Sequence, residues 1–220
     1  MKSPAGPAAL TALPTLLLML LLTSAAAGAA EPAREWVFDV DLDGKPIGEH
    51  RFTVSSDGER TTVRSRAAFD VKVLGFVAYR YRHEADETWR GGCLEKLRAR
   101  TDDDGQALAV DAETVEGSLK VVATKASGSY PGCVMGFAYW NPSIRQQSRL
   151  LNVQTGEYTQ VAFAPLPEQI VQARGVPVSG RRWRLTGPEN PLELAYTAAG
   201  DWVALESTVS GGRKLRYRLR

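Results

Sequence analysis

Residues 77–90 read Val77-Ala78-Tyr79-Arg80-Tyr81-Arg82-His83-Glu84-Ala85-Asp86-Glu87-Thr88-Trp89-Arg90 and change character at nearly every step. Val77, Tyr79, Tyr81, His83, Ala85, Glu87 and Trp89 share one side, while Arg80, Arg82, Glu84, Asp86, Thr88 and Arg90 share the other. Successive side chains of a strand point to opposite faces, so this period of two predicts a strand with one dry and one wet side. The same rhythm extends outward. Trp36, Phe38, Val40 and Leu42 alternate with Asp39 and Asp41. Gly48, His50, Phe52 and Val54 alternate with Glu49, Arg51 and Thr53. Val63, Ser65, Ala67, Phe69, Val71 and Val73 alternate with Arg64, Arg66, Asp70 and Lys72.

Downstream, the pattern predicts strands near 93–101, 107–113, 118–125, 157–163, 169–174, 181–186, 191–197, 201–209 and 213–219. Glycine-bearing turns separate many of them, among them Asp43-Gly44, Gly91-Gly92, Asp102–Gly105, Gly187-Pro188 and Gly211-Gly212. Many short strands joined by turns predict an all-β fold, a curved antiparallel sheet forming a barrel or half-barrel. Residues 127–152 break the rhythm. Asn141-Pro142 favours a turn, and Pro142 can open one short helix near 137–150. A long connection of this kind reads as a rim or lid over the sheet.

The chain has 220 residues, 44% hydrophobic and 24% charged, with 27 Lys and Arg against 25 Asp and Glu. These values exclude a disordered or collagen-like chain, and the near-neutral balance gives no support to nucleic-acid binding through bulk charge. Lys2, the apolar run Leu16–Leu22 and the small residues Ala25–Ala30 follow the order of a secretory signal, with cleavage expected near Ala29-Ala30. A signal peptide over 1–30 leaves one β-rich domain over 31–220 and predicts a periplasmic protein. The two cysteines, Cys93 and Cys133, are then expected to form one disulfide.

Several stretches together resemble a family of exported bacterial proteins. They are Lys72-Val73-Leu74-Gly75-Phe76, Tyr79-Arg80-Tyr81-Arg82-His83, Glu87 through Leu94, Trp140-Asn141-Pro142, Leu151 through Gly156, and Leu194 through Tyr217. The family is catalogued as a domain of unknown function, and the resemblance implies export and a β-rich fold without an activity. More distantly, the chain is similar to lipoprotein-carrier-like folds, whose curved sheet wraps an apolar concavity; a shared fold does not carry function with it.

Candidate site residues come from the dry faces and the irregular segment. His50, His83 and Glu87 lie on apolar faces, where burial perturbs ionisable groups. An enzyme, hydrolytic or metal-assisted, would need them to converge, yet His83 and Glu87 stand four residues apart on one strand, about 13 Å. The plainer alternative is that each is a satisfied interior group. Tyr79, Tyr81, Trp89, Tyr139 and Trp140 combine apolar bodies with polar edges, which suits a concave ligand site as well as a packed core. Asn141 and Gln147 can offer amide hydrogen bonds. The outward Arg64, Arg66, Arg80, Arg82, Lys96, Arg98 and Arg100 form a basic stripe if their strands are neighbours, diluted by Asp70, Glu84 and Asp86. No G-x-S-x-G, HExxH, P-loop or dinucleotide fingerprint occurs, so no cofactor is expected. The leading expectation is a binding or carrier domain for a hydrophobic or amphipathic ligand such as a lipid, held in the concave sheet. The alternatives are the enzyme and an envelope adaptor that binds a protein partner.

Overall fold

The computed structural model describes Met1 and residues 32–220; the signal-peptide reading falls on residues outside these. The first half of the sheet is an uninterrupted series of hairpins. It comprises β1 (Arg34–Leu42), β2 (Lys45–Ser56), β3 (Arg60–Val73), β4 (Phe76–Arg90), β5 (Cys93–Asp103), β6 (Gln106–Val115), β7 (Ser118–Ala123) and β8 (Gly128–Pro131). After an irregular segment come β9 (Arg149–Leu151) and β10 (Tyr158–Gln160), which form a separate two-stranded sheet. The chain then continues through β11 (Ala162–Ala173), β12 (Val176–Thr186), β13 (Leu192–Tyr196), β14 (Trp202–Val209) and β15 (Arg213–Leu219). Pairing of β15 with β1 joins both series into one antiparallel sheet of 13 strands, ordered β11 to β15 and then β1 to β8.

The sheet is curved and not closed, with β8 and β11 at its edges. Its register aligns inner residues across strands. Phe38, His50, Ala67, His83, Thr101 and Leu108 form one such row, and Val40, Gly48, Phe69, Tyr81 and Asp103 form the next. Gly48 permits that second row. Its φ is +150°, and a Cβ there would sit 1.9 Å from the Ala68 carbonyl oxygen.

The expected strands appear with adjusted bounds. The predicted 157–163 strand is two elements, β10 and the start of β11, because Val161 leaves the small pair to bury itself while its N–H donates to Ser148 O. The predicted 169–174 strand is the far end of β11, beyond a register shift between Leu166 and Gln169. The irregular segment is a plug, not a rim or lid. Val134, Met135, Ala138, Ile144, Leu150 and Leu151 are buried in the same core as Trp36, Phe38, Leu97 and Trp202. Backbone bonds fasten it to the sheet, Leu94 N–H donating to Val134 O and Leu151 N–H to Met135 O. Its expected helix is one 3₁₀ turn, Pro142–Gln146. The Cys93–Cys133 disulfide ties the start of this plug to β5.

Alternation misplaces one end of β4. Val77 and Tyr79 belong by spacing to the dry face, yet both are exposed. Pairing of β2 with β3 stops at Gly48–Phe69, and pairing of β4 with β5 stops at Tyr81–Asp103. Beyond that row no neighbouring strand covers them, so there is no interior for them to face.

Candidate functional site

The row that closes the sheet at this end gathers a polar, aromatic cluster from separate parts of the chain. β2 supplies His50, β3 Phe69, β4 Tyr81 and His83, β15 Tyr217, and the plug Tyr139. The rings are in contact range. Phe69 stacks on Tyr81 with centroids 5.4 Å apart, and Tyr217 lies 5.8 Å from His50 and 6.2 Å from Phe69. Tyr139 packs on buried Trp202 at 5.3 Å, and its carbonyl accepts from the Tyr196 hydroxyl. His50, Tyr81, Tyr139 and Tyr217 are half-buried, whereas the sheet beneath them is filled by side chains.

Each imidazole is committed to hydroxyl partners. His50 Nε2 lies 2.7 Å from Ser65 Oγ and its Nδ1 lies 3.4 Å from Tyr217 Oη. His83 Nδ1 lies 2.8 Å from Thr101 Oγ1. The two histidines flank Ala67 across two strand spacings, about 9–10 Å of backbone. Burial, with His83 adding repulsion, brings His50 down to about 3; burial, with Arg66 adding to it, brings His83 down to about 4. Both are therefore neutral at neutral pH and weakly basic, better suited to hydrogen bonding than to proton abstraction.

Burial, first of all, raises the Tyr81, Tyr139 and Tyr217 phenols, so these remain protonated. They also lie near one another: Tyr81 contributes to raising Tyr139, and both contribute to raising Tyr217. The Tyr81 hydroxyl donates to Gln154 Oε1 at 3.0 Å, and Gln154 Nε2 donates to Asp103 at 3.5 Å. Tyr79, outside the lining, caps the same chain by donating to Asp103 at 2.5 Å.

Of the residues singled out by sequence, the structure brings together His50, Tyr81, His83 and Tyr139. It does not bring Glu87 to the histidines. Glu87 accepts from Trp89 Nε1 at 2.7 Å, toward the other end of β4. Trp89 is fully buried and meets Trp140 edge to face at 5.5 Å. Asn141 caps the 3₁₀ turn by accepting from Ser143 N–H, and Gln147 closes it by donating its backbone N–H to Ile144 O. Among the described residues no group of three His, Cys, Asp or Glu is arranged to hold a metal. Ser65, Phe69, Thr101, Gln154 and Tyr217 were not legible as site residues. Ser65, Phe69 and Tyr217 do sit on the dry side of their alternations, and a polar residue in a dry register is the signal that marks Ser65.

The outward arginines do form neighbours, and acids span them. Arg64 and Arg66 meet Asp86, Arg80 and Arg82 meet Asp70, and Arg100 meets Asp111. Arg66, Arg82 and Arg100 also donate to strand carbonyls around a depression of about 740 Å³ floored by Ala68, Ala107 and Ala109. The result is a mixed surface of largely paired charges.

The sequence profile described as "Domain of unknown function (DUF6134)" matches residues 38–220. No curated protein matches the sequence. Among solved structures, the chain is similar to a crystal structure of a beta-barrel-like protein of domain of unknown function DUF1849 from Brucella abortus. The identity is 12%, the TM-score is 0.61, and the match covers 86% of this chain and 95% of the other. At that identity the likeness is one of fold.

Proposed function

Because the chain belongs to the DUF6134 family, whose domain has no assigned activity, we propose its role from the site itself: an exported protein that binds an amphipathic ligand, such as a lipid, at the aromatic end of its curved sheet. The observation that carries this reading is the convergence of three half-buried tyrosines and a neutral imidazole, drawn from β2, β4, β15 and the plug, over a sheet already filled below. A packed interior leaves no room for a chain deep in the concavity, so the ligand sits at this end. Its head group meets the Tyr139 and Tyr217 hydroxyls, and its apolar part lies over Phe69. Sites of this composition, apolar walls with a few converging hydroxyls, suit ligands that are part grease and part polar.

Export is supported by the basic, apolar and small-residue order of residues 2–30 and by the bonded Cys93–Cys133 pair, since such bonds persist in oxidising compartments. N-terminal sequencing of protein from an exported fraction should read from near Glu31; an uncut chain retained in the cytoplasm would refute it. The ligand is tested by native mass spectrometry of residues 32–220, which contain all fifteen described strands, the plug and the disulfide. A panel of fatty acids and lysophospholipids should give a stoichiometric adduct that the Tyr139→Phe/Tyr217→Phe variant loses. No adduct, or one indifferent to both hydroxyls, would sink the reading.

A further inference from the structure

β3 and β4 continue past the last full row of the sheet. Asp70–Val73 and Phe76–Tyr79 form a two-stranded ribbon that runs past the Gly48–Phe69 and Tyr81–Asp103 pairs, with Asp104 bonded to Arg80 at its base and the end of the β1–β2 hairpin beside it. Such ribbons are marginal in water and ordinarily carry polar tips. This one ends in Val73-Leu74-Gly75-Phe76-Val77, with Leu74 94% and Phe76 79% exposed.

The turn chemistry makes the apolar tip conspicuous. Five turns place a non-glycine residue at positive φ immediately before a glycine: Asp43, Leu74, Asp104, Glu116 and Arg174. Four of these residues are charged, as water-facing turns favour. Leu74, at φ 50°, is the bulky apolar one, in a position where Asn or Asp is favoured and leucine is sterically penalised. Neither packing nor turn preference accounts for leucine there, because it touches no core.

Three cations flank one side of the ribbon's base. A depression of about 470 Å³ beside Val73 is lined by Lys45, Lys72 and Arg213, together with Asp43 and Asp70. Asp70 is occupied by Arg80 and Arg82, and Asp43 accepts from the Lys214 backbone N–H. Lys45, Lys72 and Arg213 make no ion pair among the described residues. On the other flank, Asp103 and Asp104 are held by Tyr79 O–H and Arg80 N–H.

We propose that the Val73–Val77 tip inserts into the interface of an anionic phospholipid bilayer, with Lys45, Lys72 and Arg213 against the head groups. An apolar point with three unpaired cations on one flank matches a surface that is negative outside and greasy just beneath. A bilayer fits better than a protein groove because Val73, Leu74, Phe76 and Val77 are all exposed around one turn. The proposal does not depend on a ligand at the tyrosine cluster.

The test uses residues 32–220 and vesicles of phosphatidylcholine with or without phosphatidylglycerol. Wild type should co-sediment with the anionic vesicles. Leu74→Asn/Phe76→Thr should weaken binding at least about ten-fold, as expected for withdrawing two apolar side chains. Its thermal midpoint should stay level or rise, because Asn suits the turn, so a loss of binding cannot be blamed on misfolding. Lys45→Gln/Lys72→Gln/Arg213→Gln should abolish the preference for phosphatidylglycerol. A fluorophore on Leu74→Cys, the sole free thiol, should shift to the blue on vesicle addition. The proposal is overturned by a wild type that binds neither vesicle, by undiminished binding of the tip variant, by binding indifferent to the three charges, or by a fluorophore that stays in water while the protein sediments.

Discussion

Trp89 Nε1 donates to a Glu87 carboxylate oxygen at 2.7 Å, from two residues further along the same strand. Both side chains share the inner face, and the indole, not His83, is the carboxylate's partner, in keeping with the four-residue spacing that holds His83 and Glu87 apart.

Burial raises Glu87 to about 7, against the partial counter-effect of that hydrogen bond. A raised carboxyl stabilises the fold fully below its unfolded pKa and loses that contribution as pH climbs through 7. Glu87→Gln keeps an acceptor for Trp89 without the charge. Chemical denaturation at pH 8 should find it more stable than wild type by on the order of 1–2 kcal/mol, the gap closing below about pH 4.5. Equal stability at pH 8 would place Glu87 in water.

The histidines act in the opposite direction. With folded values of about 3 for His50 and about 4 for His83, against 6.5 unfolded, the unfolded chain binds more protons throughout that interval. Stability should be complete above pH 6.5 and fall by a few kcal/mol as pH drops toward 4. A His50→Asn/His83→Asn variant should flatten this acid limb in a melting series. An unchanged limb would show that the imidazoles titrate freely.

Ser65→Ala should cost about 1–3 kcal/mol in urea unfolding, since it strips the short 2.7 Å partner from a half-buried imidazole. Nuclear magnetic resonance should then report altered His50 ring resonances with His83 little changed, because His83 relies on Thr101.

Gly48→Ala should be far more damaging than Gly44→Ala. A Cβ at 48 collides with the Ala68 carbonyl, whereas at 44 it meets open space. Losses of more than about 3 kcal/mol and about 1 kcal/mol are expected from thermal melts. Comparable losses would mean that β2 and β3 are less closely apposed than the register implies.

Replacing Cys93 and Cys133 together by serine should lower stability by about 2–4 kcal/mol, in keeping with a crosslink spanning 40 residues. Hydrogen exchange should rise first at Val134–Leu151, the plug that the bridge anchors. Uniform acceleration across the sheet would argue that the plug is held by its apolar contacts alone.

Strand content and facing were legible because alternation is a local property. Phe38, Phe52, Ala67 and His83 each point inward as their neighbours in sequence dictate. The plug was not, because Val134, Ile144 and Leu151 follow no period and their burial depends on a sheet they do not belong to. Tyr79 shows the same limit from the other side. Spacing assigns it a face, but whether that face has an interior depends on where β2 and β5 stop pairing. Tyr217 could be placed on a dry side, yet its meeting with His50 requires β15 to lie beside β1.

The sequence by itself determined an all-β chain, the side each strand buries and most turns, since these follow from backbone geometry over a few residues. Only the tertiary structure decided which polar groups meet, that the irregular segment fills the concave face, and that the Leu74 turn stands clear. Those outcomes depend on contacts between residues far apart in the chain, which local alternation does not encode.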